Sequence, residues 1–178
     1  DALAVEFGFS AEDRDDLVRA AILHDYDKRV EIEEMRGNDK NQLAIIAKNK
    51  LIARQVLKEK GVKPEIIQII DEIGDTEITQ KENISLSQKI LFYIDNITDG
   101  QNLVSVKSKH ANLVKRYPKL ASEGAFEKWV SSTETVQQEL AEKIGLANPD
   151  ELPNFILQKV KQLAEDKFGK NIIKSENW

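Results

Sequence analysis

Apolar residues recur three and four positions apart along nearly all of this chain, and no stretch alternates apolar with polar at the two-residue period of a strand. That rhythm predicts an all-α fold, because a helix brings positions i, i+3, i+4 and i+7 onto one face that a core can cover. With 8 Gly and only 4 Pro, turns are few, and those residues fall at helix ends. The fragment "DALAVEFG" reads as a helix tail closing at Gly8, and since the chain opens on Asp1 rather than Met, further sequence is expected upstream. Ser10 with Asp13 resembles a capping box for a helix that carries Leu17, Val18, Ala21 and Ile22 toward His24.

A charged segment, "DKRVEIEEMRGNDK", breaks the pattern around Gly37 and Asn38. The next helix is predicted from Asn41 to Glu59, with Leu43, Ile46, Ala47, Leu51 and Leu57 on its apolar face and Gly61 after its end. Pro64 starts a short helix, "PEIIQIIDEIG", and residues 75–84 read as a polar loop. Ser85 caps a helix with Leu86, Ile90, Tyr93, Ile94 and Ile97 as its stripe up to Gly100; residues 105–116 form another, which Pro118 stops. Two long helices close the chain, one with Phe126, Trp129, Val130, Val136, Leu140 and Ile144, the other capped by Asn148 and burying Phe155, Ile156, Val160, Leu163 and Phe168. Their aromatics read as core packing rather than a cofactor box. No Asn-Gly hairpin signal, internal repeat or low-complexity tract is found, so one domain over 1–178 is expected, with a core over 1–118 and a C-terminal helical extension over 119–178.

Charge and composition remove several functions. A net charge of -5 argues against a general nucleic-acid binder, which needs a positive surface to displace counterions. The absence of Cys excludes disulfides, a thiolate zinc site and a cysteine nucleophile, and fits a reducing, cytoplasmic setting. No apolar run approaches the roughly 20 residues of a membrane helix, and no signal peptide is read.

The chemistry-bearing stretch is "AAILHDYDKR", where an apolar run ends in His24, Asp25, Asp27, Lys28 and Arg29. A neutral imidazole beside a carboxylate is good ligand material for a divalent ion. Consecutive helical side chains diverge by about 100°, so His24 and Asp25 share a metal only near a helix end, and a third ligand must come from elsewhere. Asp95, set in the stripe of "KILFYIDNITDG", is the best candidate, since a carboxylate entering a core needs a cation as partner. His110, the only other histidine, reads as a surface or helix-packing residue. The basic pairs Lys107 with Lys109 and Lys115 with Arg116 read as a solvated helix face.

"AAILHDYDK" resembles the central motif of the HD superfamily of metal-dependent phosphohydrolases: an apolar helix, His-Asp, a hydrophobic residue, Gly and Lys. Tyr26 fills the hydrophobic place and Lys28 the Lys, while Asp27 replaces the Gly. "SLSQKILFYIDNITDG" is similar to the later helix that supplies a distant Asp, and "KRYP" from Lys115 to Pro118 resembles the segment after that helix in small bacterial members. The resemblance spans roughly residues 1–118 and implies a compact helical bundle with additional C-terminal helices.

It further implies that His24, Asp25 and Asp95 ligate a divalent ion (Mn, Fe, Co, Ni, Zn or Mg), with an upstream His whose match would lie just before Asp1. Asp71, Glu72 and Gly74 stand where some members carry second-metal histidines, which favours a mononuclear site or none. The implied reaction is metal-assisted hydrolysis of a small phosphoester, a nucleotide among the options. Asp25 and Lys28 are then the catalytic residues, and Lys28 and Arg29 the substrate contacts. The alternative is a catalytically degenerate HD-fold module that binds a ligand or partner, whose C-terminal helices with Trp129 and Trp178 serve self-association or docking. A purely structural bundle is a third reading and would gain no stability from divalent ions.

Overall fold

Two serines set the start of the helices that matter most. Ser10 accepts a hydrogen bond from the Asp13 amide (3.1 Å) at the head of one, and Ser85 accepts from the Gln88 amide (3.2 Å) at the head of another. At Ser85 the box is complete, because the Gln88 side chain accepts from the Ser85 amide in return (2.8 Å). The computed structural model describes residues 1–26, 28, 42–71, 78–100, 102–116 and 125–169, without the side chains of 42, 43, 46 and 125. Among these, eight α-helices follow in order: α1 (Ala2–Glu6), α2 (Ala11–Leu23), α3 (Gln42–Glu59), α4 (Pro64–Asp71), α5 (Leu86–Ile97), α6 (Val106–Arg116), α7 (Ala125–Lys143) and α8 (Leu152–Phe168). Short 3₁₀ turns lie at Ile78–Gln80 and Pro149–Glu151.

The all-α expectation holds, with one small addition. Thr98–Asp99 and Asn102–Leu103 pair as a two-stranded antiparallel ribbon, register Thr98 with Leu103 and Asp99 with Asn102. Gly100 supplies the left-handed turn (φ 64). Asp99 is still paired in the strand, so Gly100 takes the first loop position, a Gly-first turn that a search for Asn-Gly passes over.

Helix α5 is the axle of the fold. It packs against α1, α2, α4, α6 and α7, and it is buried on nearly every side through Gln88, Ile90, Leu91, Phe92, Tyr93, Asn96 and Ile97. A single apolar cluster joins it to Leu3 of α1, Leu17 of α2, Ile66 of α4, Val136 and Leu140 of α7, and Leu152 and Ile156 of α8. Tyr93 is fully buried; its hydroxyl donates to Gln137 (3.3 Å), whose amide donates to the Pro149 carbonyl (2.8 Å). That chain pairs the Tyr93 and Gln137 polar groups placed inside the α5–α7 contact. The Tyr93 hydroxyl titrates well above the usual tyrosine range, because burial, and then the nearby Asp150 carboxylate, disfavour its ionised form.

Several faces differ from the periodic reading. In α2 the inward residues are Asp16, Leu17 and Ala20, while Ala21 and Ile22 are exposed, Ile22 by 74%. The roll follows a polar contact: Lys63 reaches Asp16 (3.2 Å) and Glu12 (2.9 Å) from the start of α4, so Asp16 takes an interior position with its charge paired. In α3, Ile45, Asn49 and Leu57 face inward and Ala47 and Leu51 face out; the predicted Leu43 and Ile46 side chains lie outside the described residues. Ile78, assigned to a polar loop, is buried, and Phe168 is exposed at the end of α8. There the helix has run past the elements that cover its face.

His110 lies edge-on to Phe126 (centroids 6.1 Å) and stacked on Trp129 (6.5 Å, 22° between planes), a helix-packing histidine as expected. Lys109 donates to the Thr98 carbonyl, and Arg116 pairs with Asp99 (3.0 Å), so those cations of the expected solvated face have partners. Asn112 also donates to Asp99, and with the Arg116 and Lys109 charges holds that carboxyl below the usual range.

Candidate metal centre

The end of α2 and the last turn of α5 meet at three titratable side chains, the neighbours His24 and Asp25 and, 71 positions beyond His24, Asp95. His24 is the C-cap of α2, reached as the apolar face runs out, so its ring leans back toward the core while Asp25 turns to solvent. Asp95 sits in the final turn of α5, next to the buried Asn96. The His24 ring Nε2 lies 3.2 Å from Asp95 Oδ1 and 3.5 Å from Asp25 Oδ2. The structure thus brings together the three residues singled out from the sequence. Asp95 enters the core less deeply than its stripe suggests, its side chain being 39% exposed against 19% for His24.

The other ring nitrogen defines the chemistry. His24 Nδ1 is 2.7 Å from the Ala21 carbonyl oxygen, which can only accept, so Nδ1 carries a proton. In the neutral ring, Nε2 is then a bare lone pair facing two carboxylates. That arrangement is repulsive unless a cation lies between, and a proton or a metal ion can fill the role. A backbone carbonyl fixing the distal nitrogen of a histidine is the usual arrangement that aims its partner nitrogen at a metal. In kind, one imidazole and two carboxylates are donors that suit a divalent ion. Among the described residues, no group of three or more His, Cys, Asp or Glu side chains is placed as a metal would need it; His24 is instead drawn against the two carboxylates as ion pairs.

The hydrogen bond that protonated Nε2 donates to Asp95 pushes the His24 pKa up to about 9; burial opposes the shift, while the Ala21 carbonyl and the charges of Asp95 and Asp25 add to it. An unfolded histidine titrates near ~6.5, so the proton is held more tightly in the folded state. The stabilisation is fully present below pH ~6.5 and fades as pH rises through about 9. Because the two carboxylates are partly solvated, it is on the order of 1–2 kcal/mol. Urea unfolding of chelator-treated protein should lose that much stability between pH 6 and 10, and His24→Asn should flatten the slope. An equal slope in both proteins would remove His24 as its source.

Lys28 lies one turn beyond, exposed, its amide donating to the Asp25 carbonyl (3.0 Å). Arg29 and Asp27 are outside the described residues, as are Glu72 and Gly74. One contributor escaped the sequence reading: the Ala21 carbonyl, a backbone group that no residue identity announces. No described helix is long and apolar enough to cross a membrane.

A family model, the HD domain, matches residues 2–99, more than half of the chain. The matched span contains His24, Asp25 and Asp95 and ends at the first strand of the ribbon. No curated protein and no solved structure matches the chain significantly. HD domains generally bind divalent metals, and the superfamily is one of metal-dependent phosphohydrolases. A matching span of this length, carried by a helical fold that brings the His-Asp pair to the distant Asp, shows that the chain belongs to the HD domain family.

Proposed function

We propose that this protein is a metal-dependent phosphohydrolase acting on a small phosphoester, with His24, Asp25 and Asp95 as metal ligands. The observation that carries the reading is the placement of His24 Nε2, aimed by the Ala21 carbonyl at two carboxylates. His24, Asp25 and Asp95 would hold a divalent ion there, which would supply polarisation of a phosphoryl oxygen and a lowered pKa for water. The chain's own residues hold the rest: Asp25, more than half exposed, faces incoming substrate, and the exposed Lys28 stands one turn away to meet phosphate charge. Arg29 is proposed as a second phosphate contact on its place in the motif. Residues 119–178 then act as the helical extension of one domain, in a cytoplasmic protein.

Metal binding to the folded state is tested by thermal melting after chelation. Adding Mn²⁺ or Co²⁺ at 100-fold over its Kd should stabilise by about 2.7 kcal/mol, a rise of roughly 5–11 °C at this chain length. A phosphoester panel, run on protein that includes any coding sequence upstream of Asp1, should show turnover that depends on the ion. No rise with any divalent ion, together with no turnover, sinks the assignment.

A second reading, a binding module without chemistry, is favoured by one observation. The trio is paired to itself rather than spread as a coordination sphere. A metal-induced rise in Tm with no hydrolysis of any substrate would select it.

A further inference from the structure

Asp95 is held in place from a direction that the family match does not include. Helix α7 begins at Ala125, beyond the matched residues 2–99. From its first turns the Trp129 indole Nε1 donates to the Asn96 side-chain Oδ1 at 2.7 Å. Asn96 directly follows Asp95 in the last turn of α5 and is only 6% exposed. Among the described residues its amide nitrogen has no hydrogen-bond partner, so the indole is the sole anchor seen there for this buried amide. Trp129 is itself confined, with the His110 ring stacked on it at 6.5 Å.

This geometry matters because a helix's last turn is its least constrained part, with carbonyls that lack partners inside the helix. Here the Thr98 amide bonds the Asp95 carbonyl and Thr98 Oγ1 bonds the Ile94 carbonyl (2.6 Å), which fixes the backbone path. The roll of the turn about its axis, and with it the aim of the Asp95 carboxylate, is held on one side by the buried Ile97 and on its polar side by the Asn96–Trp129 bond. Without the indole N–H, a buried amide would have both ends unpaired and would rotate in search of partners. Asp95, one residue away on the same turn, would move with it.

We propose that Trp129 is a positioning residue: acting through Asn96, it sets the aim of Asp95 toward His24, so the C-terminal helices take part in forming the metal site. The proposal rests on the metal reading above and names a residue outside the matched span as part of it.

The test uses Trp129→Phe, which keeps an aromatic ring and removes the donor, with Asn96→Leu, which removes the acceptor. Each should weaken Co²⁺ binding, measured calorimetrically, by about tenfold, the lower end of what outer partners of metal ligands contribute. The double variant should be no weaker than either single one, since both remove the same bond. Leu140→Ala, a core truncation elsewhere on α7, controls for general loosening and should leave Co²⁺ affinity within about twofold. Amide hydrogen exchange in metal-free protein should quicken at residues 95–97 in Trp129→Phe and not in Leu140→Ala.

Additive losses in the double variant, an equal loss in Leu140→Ala, or unchanged exchange at residues 95–97 would each overturn the positioning role. Unchanged Co²⁺ binding in Trp129→Phe overturns it while leaving the metal reading intact. A wild-type protein that binds no Co²⁺ fails the metal reading instead and takes this role with it. If Trp129→Phe fails to fold, Asn96→Leu against Leu140→Ala decides by the same affinity and exchange criteria.

Discussion

Asp25→Ala is expected to lower kcat/KM for phosphoester hydrolysis by roughly 10²–10³-fold, about 3–4 kcal/mol of transition-state stabilisation. The same change should shift Tm by no more than ~2 °C, since exposed substitutions usually stay within ~0.5 kcal/mol. The separation follows from where Asp25 stands. Its side chain is 58% exposed and 3.5 Å from His24 Nε2, close enough to share a cation with the imidazole yet contributing nothing to the core. Asp25→Asn is the sharper companion, because it keeps the size and removes the charge that a metal needs. Steady-state kinetics beside thermal melts read both effects. Hydrolysis unchanged in Asp25→Ala would remove this residue from the site, whatever became of the fold.

Phe92→Ala should produce the opposite pattern, a large loss of stability at a residue that touches no substrate. Phe92 is 1% exposed near the middle of α5, the helix against which five others pack. Deleting a buried phenyl ring costs about 3–5 kcal/mol, partly as lost transfer energy and partly as the cavity left behind. Against a total stability of ~5–15 kcal/mol, that lowers Tm by roughly 6–20 °C for a domain of this length. Asp95 lies three residues farther along the same helix, so metal binding should weaken as the helix loosens. A fall of less than about 2 °C would show that α5 is not the centre of the core.

The two variants separate what holds the molecule together from what the site does, and the separation has a sequence counterpart. The helices were legible because burying one face demands a 3.6-residue rhythm. The caps at Ser10 and Ser85 were legible because their hydrogen bonds are local. His24, Asp25 and Asp95 could be singled out because they interrupt apolar runs, and a charge in such a place needs a reason. The choice of buried face within a helix was not legible where polar pairs decide it. Ile22 was expected inside and is exposed, because Lys63 reaches across from the start of α4 to draw Asp16 inward. Periodicity counts apolar residues and is blind to a partner 47 positions away.

What the amino-acid order settled by itself was the helical class, most helix ends, the membership marked by the His-Asp run, and the three residues worth watching. Each of these depends on interactions within a few residues or on identity alone. The tertiary structure decided that His24 and Asp95, 71 positions apart, meet within 3.2 Å. It also decided that the Ala21 carbonyl bonds the ring and that the Trp129 indole reaches Asn96, the residue after Asp95. Those facts belong to the packing of α2, α5 and α7, where distances are set by side-chain volume and by the pairing of buried polar groups. No local pattern encodes them, because the partners become neighbours only when the core closes.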